Sequence, residues 1–228
     1  MERKAIVLLS GGADSATCLA LAVRRERRSC LALSFAYGQK HACELAAAAR
    51  CAAAFSAEHL VVELDRRLFS SSALTGGGPV PRERTPAEIG ADIPATYVPA
   101  RNLVFLSLAA ALAENRGVDS IHLGVNARDY SGYPDCRPAF IEAFRAALAA
   151  GTRGGDRGEP VAIETPLIGL TKAEIFRLGT ELELDYALTV SCYDPDEEGR
   201  ACGACDSCRL RRKGFREAGL PDPTRYQA

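Results

Sequence analysis

Ser10-Gly11-Gly12-Ala13-Asp14-Ser15 separates a continuously apolar run, Ala5 to Leu9, from a helical pattern that begins at Ser15 and turns Ala16, Leu19, Ala20 and Val23 inward. Strand, loop and helix in that order put a Gly-rich turn at a helix N-terminus. There, unpaired backbone N–H groups and the positive end of the dipole favour an anion. Ser10 and Ser15 add hydroxyl donors, and Gly11 and Gly12 let the backbone approach a ligand closely. Asp14 is placed to carry a magnesium ion or to cap the helix. A phosphate chain is the ligand this chemistry suits. The spacing matches neither Gly-x-x-x-x-Gly-Lys-Ser/Thr nor Gly-x-Gly-x-x-Gly, so those two phosphate-binding devices are excluded. The bland alternative is a plain strand-to-helix turn.

Working outward, Cys30 to Phe35 reads as a second strand that exits into Tyr37-Gly38-Gln39-Lys40-His41, followed by an Ala-rich helix over 42–55. His59 to Leu64, Ser120 to Gly124 and Val161 to Thr165 read as the third, fourth and fifth strands. Strands that are continuously apolar, alternating with helices, predict an α/β fold. The expected architecture is a doubly wound, mainly parallel five-stranded sheet with helices on both faces, whose ligands lie at the carboxyl ends of the strands. A helix from Leu103 to about Asn115 is apolar around nearly its whole circumference and is expected to be buried. Pro138 to Ala149 reads as an amphipathic helix, and Gly151 to Gly158 as a flexible turn. Thr171-Lys172-Ala173-Glu174 has capping-box spacing and opens a helix to about Glu183. Asp65 to Pro99, with Gly76-Gly77-Gly78 and five prolines, breaks the rhythm. It reads as a lid over the site or as an insertion that folds on a partner.

The chain's 228 residues allow either one α/β domain or one domain with a small appendage, and 47% hydrophobic with 25% charged residues is the balance of a soluble globular protein. No run reaches the length of a signal-peptide core or a membrane span, so a cytoplasmic location is expected and no membrane partner. A formal net charge of −1 gives no general attraction to nucleic acid or anionic lipid. Of the nine cysteines, Cys18, Cys30, Cys43, Cys51 and Cys136 are scattered, whereas Cys192, Cys202, Cys205 and Cys208 form a Cys-x9-Cys-x2-Cys-x2-Cys run. In a reducing compartment that run predicts a tetrathiolate zinc site. The predicted division is therefore a nucleotide-binding domain over 1–188, with 65–99 as its lid or insertion, and a zinc-binding module over 189–228. Arg200, Arg209, Arg211, Arg212 and Lys213 are placed to offset the thiolate charge; the rival reading is RNA contact. A redox or thiol-transfer role is the rival reading of the cysteines themselves.

Several polar residues fall at the predicted site edge and read two ways. Arg101, behind Tyr97-Val98-Pro99-Ala100, opposes the helix dipole, which suits an anionic ligand, or else is a surface residue. Lys172 is a phosphate contact or a solvated charge. The exit loop of the fourth strand, Val125 to Arg137, offers Tyr130 or Tyr133 for stacking on a planar heterocycle and Asp129 or Asp135 to accept from its N–H groups. Its bland reading is a Pro-stiffened polar turn. Among the histidines, His59 and His122 read as packing residues and His41 sits at the site edge.

The first loop resembles the Ser-Gly-Gly-x-Asp-Ser loop of the N-type ATP pyrophosphatases (PP-loop superfamily), which hold the pyrophosphate of ATP and cleave between the α and β phosphates. Further motifs follow it: Tyr37-Gly38-Gln39, then Tyr97-Val98-Pro99-Ala100-Arg101-Asn102, then Gly124-Val125-Asn126 with Asp129 to Arg137. Ser191-Cys192-Tyr193, the later cysteines and Asp222-Pro223-Thr224-Arg225-Tyr226 complete the series. Together they resemble the 7-cyano-7-deazaguanine synthase family from about residue 4 to 226. The resemblance implies an ATP-dependent ligase of queuosine precursor synthesis that turns 7-carboxy-7-deazaguanine and ammonia into the nitrile through adenylated intermediates, releasing AMP and pyrophosphate. It implies Mg2+ and Zn2+ and a homodimer. ATP would lie along Leu9, Ser10, Gly11, Gly12, Ala13, Asp14, Ser15, Ala16, Thr17, Cys18 and Leu19, with Tyr37 and Gln39. Ser10, Asp14, Ser15, Arg101 and Lys172 would be catalytic. Arg101, Asn102, Asn126, Asp129, Tyr130, Tyr133 and Asp135 would hold the substrate. Free ammonia is the expected nitrogen donor, since the synthetase and zinc parts take up the chain and leave no glutaminase domain. Two rival classes are a tRNA-modifying enzyme of the same superfamily and a non-catalytic nucleic-acid-binding zinc module. A loop of tyrosine and aspartate suited to a small heterocycle argues against both.

Overall fold

Successive side chains of the first strand, β1 (Lys4–Leu8), point to opposite faces, and every one after Lys4 is buried. Ala5 and Val7 enter one core, Ile6 and Leu8 the other. A strand of this kind needs cover on both sides, which a parallel sheet supplies. The computed structural model describes residues 3–39, 43–85, 88–89, 92–126 and 132–227. In it β2 (Ser29–Ala36), β3 (Glu58–Glu63), β4 (Ser120–Leu123) and β5 (Ala162–Glu164) join β1 in a five-stranded sheet of order β3-β2-β1-β4-β5, parallel at every pairing. The doubly wound sheet expected from the sequence is the sheet observed.

The helices are α1 (Ala13–Ala20), α2 (Cys43–Ala54), α3 (Arg101–Arg116), α4 (Pro138–Gly151), the short α5 (Arg153–Asp156), α6 (Lys172–Glu181) and α7 (Asp206–Ala218). One face of the sheet is covered by α1, α2, α6 and α7, through Ala16, Leu19, Ala48, Cys51, Ile175, Phe176 and Phe215. The other is covered by α3 and α4, through Leu106, Ala109, Ile141 and Phe144. Leu8 lies between Leu33 of β2 and Leu123 of β4. The chain leaves β1 in opposite directions on these two sides, and such a switch point opens a crevice beyond the carboxyl ends of the strands.

Four local expectations are corrected. α1 starts at Ala13 rather than Ser15, with Gly12 at its N-cap and no side-chain cap, so Asp14 sits inside the first turn and does not cap it. The helix then widens into a π turn, Leu21–Arg25. α3 is not buried all round: Leu103 and Leu108 are 46% and 37% exposed, because the sheet covers only the Leu106, Ala109 and Ala113 stripe. Gly151 to Gly158 is not a bare turn, since Thr152 accepts from the Gly155 amide and caps α5. The capping box at Thr171 and Glu174 is formed as predicted.

The segment after β3 opens with a 3-10 turn, Arg66–Phe69, whose Arg67 amide is held by Asp65. It then runs onto the cysteine-bearing part of the chain. Val80 packs against Cys192, Cys205 and Cys208, the Glu83 amide donates to the Ala204 carbonyl at 2.9 Å, and Arg84 pairs with the buried Asp206. Among the described residues no helix is long and apolar enough to cross a membrane.

Candidate active site

A cavity of about 300 Å3 occupies the crevice at the ends of β1, β2 and β4. Ser10, Gly12, Ala13, Asp14 and Ser15 form its floor. The loop is braced by its own hydroxyls: Ser15 Oγ donates to the Gly12 carbonyl at 3.0 Å, the Ser10 amide donates to Ser15 Oγ at 3.2 Å, and the two hydroxyls lie 3.0 Å apart. Gly11 is the residue that lets the loop sit down on α2. Its φ of +84° is the left-handed region, and a Cβ there would stand 2.3 Å from the Glu44 carbonyl oxygen.

Opposite charges meet at this floor. Lys172, the first residue of α6, pairs with Asp14 Oδ2, which decides its two sequence readings against a solvated charge. Asp14 Oδ1 is buried without a hydrogen-bond partner among the described residues. An orphan carboxylate oxygen beside a phosphate-type loop is a hard anionic donor of the kind that magnesium takes, so the residues present fit that ion.

One wall is aromatic. Phe35 and Phe105 stack with ring centroids 4.0 Å apart, and Tyr37 meets Phe105 edge-on at 5.3 Å. Arg101 Nη1 donates to the Tyr37 hydroxyl at 3.4 Å, so the guanidinium points into the cavity from the N-terminus of α3. Burial pushes the Tyr37 phenol up while the Arg101 charge pulls it down, and the phenol stays neutral at pH 7. Gln39 folds back to accept from the Tyr37 amide at 2.9 Å and to donate to the Phe35 carbonyl at 3.0 Å, which fixes the end of β2. Asn126 donates to the Leu170 carbonyl, and the Tyr133 hydroxyl lies 2.8 Å from Thr96 Oγ1; both line the cavity.

Other predicted residues are placed elsewhere. Ala16, Thr17, Cys18 and Leu19 are fully buried in the body of α1, and Thr17 Oγ1 is spent on the Ala13 carbonyl and the Tyr186 hydroxyl. Their side chains serve the core because they lie on the face that α1 turns to the sheet and its neighbouring helices. Asp135 is buried and lies outside the lining: its Oδ2 accepts the Asn102 amide at 3.0 Å, supplying the first turn of α3 with the anion that Arg101 does not. Asn102 in turn donates to the Asp135 carbonyl and to Cys136 Sγ, whose thiol is pushed up to about 12, first by burial and then by the Asp135 charge. Asp129, Tyr130 and His41 lie outside the described residues.

The sequence reading missed the third wall. Val190 and Ser191 rest on the phosphate loop, with the Val190 amide donating to the Gly11 carbonyl at 2.9 Å and the Ala13 amide to Ser191 Oγ at 3.5 Å. Behind them lies Arg211, 3% exposed, donating to Thr189 Oγ1, Ser191 Oγ and the Tyr186 carbonyl at 2.9, 3.1 and 3.0 Å and pairing with Asp222. Arg211 is thus a keystone between the end of the chain's cysteine run and the loop, not an offset for thiolates. Arg200 is likewise occupied, by Asp196. Glu44, at the start of α2, also lines the cavity and carried no motif.

Cys192, Cys202, Cys205 and Cys208 bring their sulfurs within 4.8 Å of one another. Tetrahedral zinc with Zn–S of about 2.3 Å needs sulfurs about 3.8 Å apart, so the donor set fits. Backbone amides of Asp194 and Cys202 already donate to Cys192 Sγ, at 3.3 and 3.2 Å, as thiolate knuckles require. The cluster is consistent with a metal such as zinc.

Residues 4–219 match the family model described as Queuosine biosynthesis protein QueC. The 7-cyano-7-deazaguanine synthase of Myxococcus xanthus (strain DK1622) is 54% identical over 227 residues, covering 99% of this chain and 98% of that relative. That of Syntrophus aciditrophicus (strain SB) is 56% identical over 227 residues, covering 97% and 96%. Among solved structures, the U34-tRNA thiolase NcsA from Methanococcus maripaludis with its [4Fe-4S] cluster aligns at a TM-score of 0.50 and 19% identity, over 81% of this chain and 59% of that one. That likeness is one of fold alone. The phosphate-type loop, the aromatic and arginine walls and the four-cysteine cluster thus stand in a chain matched over nearly its whole length, and the chain belongs to the QueC family of queuosine biosynthesis proteins.

Proposed function

We propose that this chain is a 7-cyano-7-deazaguanine synthase, an ATP-dependent carbon–nitrogen ligase of the PP-loop superfamily acting in queuosine precursor biosynthesis. The observation that carries the reading is one cavity in which an anion-binding loop, a guanidinium and an aromatic wall all meet. A carboxylate is a poor electrophile. Its oxygen attacks the α phosphate of ATP, giving an acyl adenylate and pyrophosphate. Ammonia displaces AMP to give the amide, and activation of the amide oxygen by a second ATP lets AMP leave again as the nitrile forms.

The protein's share is positioning and charge stabilisation. Ser10, Ser15 and the amides of Gly11 and Gly12 hold the departing pyrophosphate. Gly11 and Leu9 shape the loop, while Ala16, Thr17, Cys18 and Leu19 support it from the core. Lys172 neutralises developing phosphate charge, and Arg101 orients the substrate carboxylate toward the α phosphate. The deazapurine lies on the wall of Phe35, Tyr37 and Phe105, with Gln39, Asn102, Asn126 and Tyr133 at its rim; Asp129 and Tyr130 are substrate contacts on the family resemblance alone. Asp135 acts on the substrate only through Asn102. Asp14 would hold magnesium, which when bound supplies charge neutralisation of the phosphates. Cys192, Cys202, Cys205 and Cys208 would hold zinc, whose part is structural.

The division into 1–188 and 189–228, with 65–99 as a lid or insertion, a homodimer, free ammonia as donor and a cytoplasmic location belong to the same reading. The test is mass spectrometry of a reaction with Mg·ATP, ammonium and 7-carboxy-7-deazaguanine, following heterocycle and nucleotides together. Nitrile with AMP and pyrophosphate is expected. AMP formed only on addition of tRNA, or ATP left intact with metal bound, would overturn the reading.

A further inference from the structure

In the reaction proposed above, nitrogen enters as ammonium and leaves in a nitrile that carries no hydrogen, so each of its protons needs an acceptor. Among the described residues two carboxylates line the cavity. Asp14 is held by Lys172. The Glu44 carboxylate makes no hydrogen bond or ion pair among the described residues, and its side chain opens on the same space as Ser10, Tyr37 and Arg101. Its backbone is fixed where Gly11 closes on it, with the 2.3 Å approach leaving no room for a side chain at position 11. The carboxylate therefore starts from a rigid point beside the phosphate loop.

We propose that Glu44 is the catalytic base that takes protons from the nitrogen nucleophile; this rests on the reading that the cavity adenylates a carboxylate and admits ammonia. Glu44 takes one proton from ammonium. The freed lone pair of ammonia forms the C–N bond at the adenylated carbonyl carbon, the C–O bond to AMP breaks, and AMP leaves with that electron pair. The nitrogen, now positively charged, loses a second proton through Glu44 to water, leaving neutral amide. The two remaining N–H protons leave by the same route, one as the amide oxygen is adenylated and one as AMP departs to form the nitrile.

The surroundings suit this task. Glu44 is only half-buried because the cavity opens on it, yet it lies deep enough that burial pushes its carboxyl up to about 7 against the pull of the Arg101 guanidinium. A base is most effective when poised near the working pH. Among the described residues the groups that face it are Arg101 of α3 and Tyr37 beyond β2, with Cys43 on its own helix. Asp14, Lys172 and Arg211 share the cavity.

The experiment compares full-length wild type, Glu44→Gln and Glu44→Asp in two assays. Carboxylate-dependent exchange of pyrophosphate into ATP without ammonium reads adenylation, and nitrile formation with ammonium reads the whole sequence. In Glu44→Gln the ratio of nitrile formation to exchange should fall about 100-fold, the size of a lost general base. It should then climb about tenfold per pH unit from 7 to 9 as free ammonia replaces ammonium, whereas wild type levels off above the Glu44 titration; Glu44→Asp should recover part of the ratio. An unchanged ratio and pH profile in Glu44→Gln would overturn the proposal. Equal loss of exchange and nitrile would overturn it too, by assigning Glu44 to adenylation. Absence of exchange in wild type would instead sink the functional reading on which the proposal rests.

Discussion

Replacing Arg211 by Met keeps the apolar stem and removes the guanidinium, so the change isolates the hydrogen bonds and the charge. In the folded protein the Asp222 carboxylate then loses its cation, and Tyr186 O, Thr189 Oγ1 and Ser191 Oγ lose a donor. Each hydrogen bond to a charged group is worth about 1.5–3 kcal/mol, but the three share one guanidinium and do not add. Removing one member of a buried pair costs about 3–5 kcal/mol, and with Arg211 3% exposed that range needs no discount for solvent screening. For a chain of this size the melting temperature should fall by roughly 6–20 °C. The structure adds a functional consequence. Ser191 rests on the Ala13 amide, so the loop loses its third wall and the KM for ATP should rise more than kcat falls. Differential scanning calorimetry and exchange kinetics below the melting transition check the two parts separately. A melting temperature within 2 °C of wild type would refute the energetic argument. A large fall with an unchanged KM would refute the coupling to the loop. Pairing the change with Asp222→Asn in a double-mutant cycle should recover part of the loss.

Three further outcomes follow from the geometry. Gly11→Ala places a methyl group against the Glu44 carbonyl and the Ala48 amide at a positive φ, at a cost of about 1–2 kcal/mol for the left-handed backbone and about 1–3 for overpacking; thermal melts should register it and ATP affinity should fall. Elemental analysis should find zinc in the purified protein, and Cys205→Ser or a strong chelator should remove it and expose the segment around Val80 to protease, since metal binding contributes on the order of 10 kcal/mol to such modules. His122 is fully buried, and burial lowers its pKa in the fold below its unfolded value, so the unfolded chain binds the extra proton. Its contribution is therefore intact above about pH 6.5 and is lost as pH falls below that, so urea midpoints measured from pH 7.5 to 5.5 should drop more steeply in wild type than in His122→Gln.

Which parts were legible beforehand has a physical explanation. β1 and its loop could be read because both depend on local facts: a run buried on two faces, two glycines and a helix start. The Thr171 capping box could be read for the same reason. Arg211 could not, because its burial comes from Tyr186 and Thr189, a turn more than twenty residues upstream whose proximity only the fold creates. Glu44 carries a polar residue's ordinary signature at a helix start, and its role comes from the cavity above it. Asp135 looked like a base-reading carboxylate because its neighbours are polar, and the missing information was that α3 begins without an anion of its own. The exposed Leu103 and Leu108 show the same limit: periodicity tells that a helix is apolar all round, not which side the sheet leaves uncovered.

The contact of Val190 with Gly11 has a consequence for how the molecule is made. On the ribosome the phosphate loop emerges early, while the residue that steadies Ala13 follows 178 positions later. Contacts of such long sequence separation form late, after the local helices and the first strand pairs. A nascent chain therefore carries an incomplete nucleotide cleft throughout most of its synthesis and closes it only when Val190 and Ser191 reach the loop. The part of the sequence that carries the four cysteines thereby sets when a newly made chain first has a complete cleft.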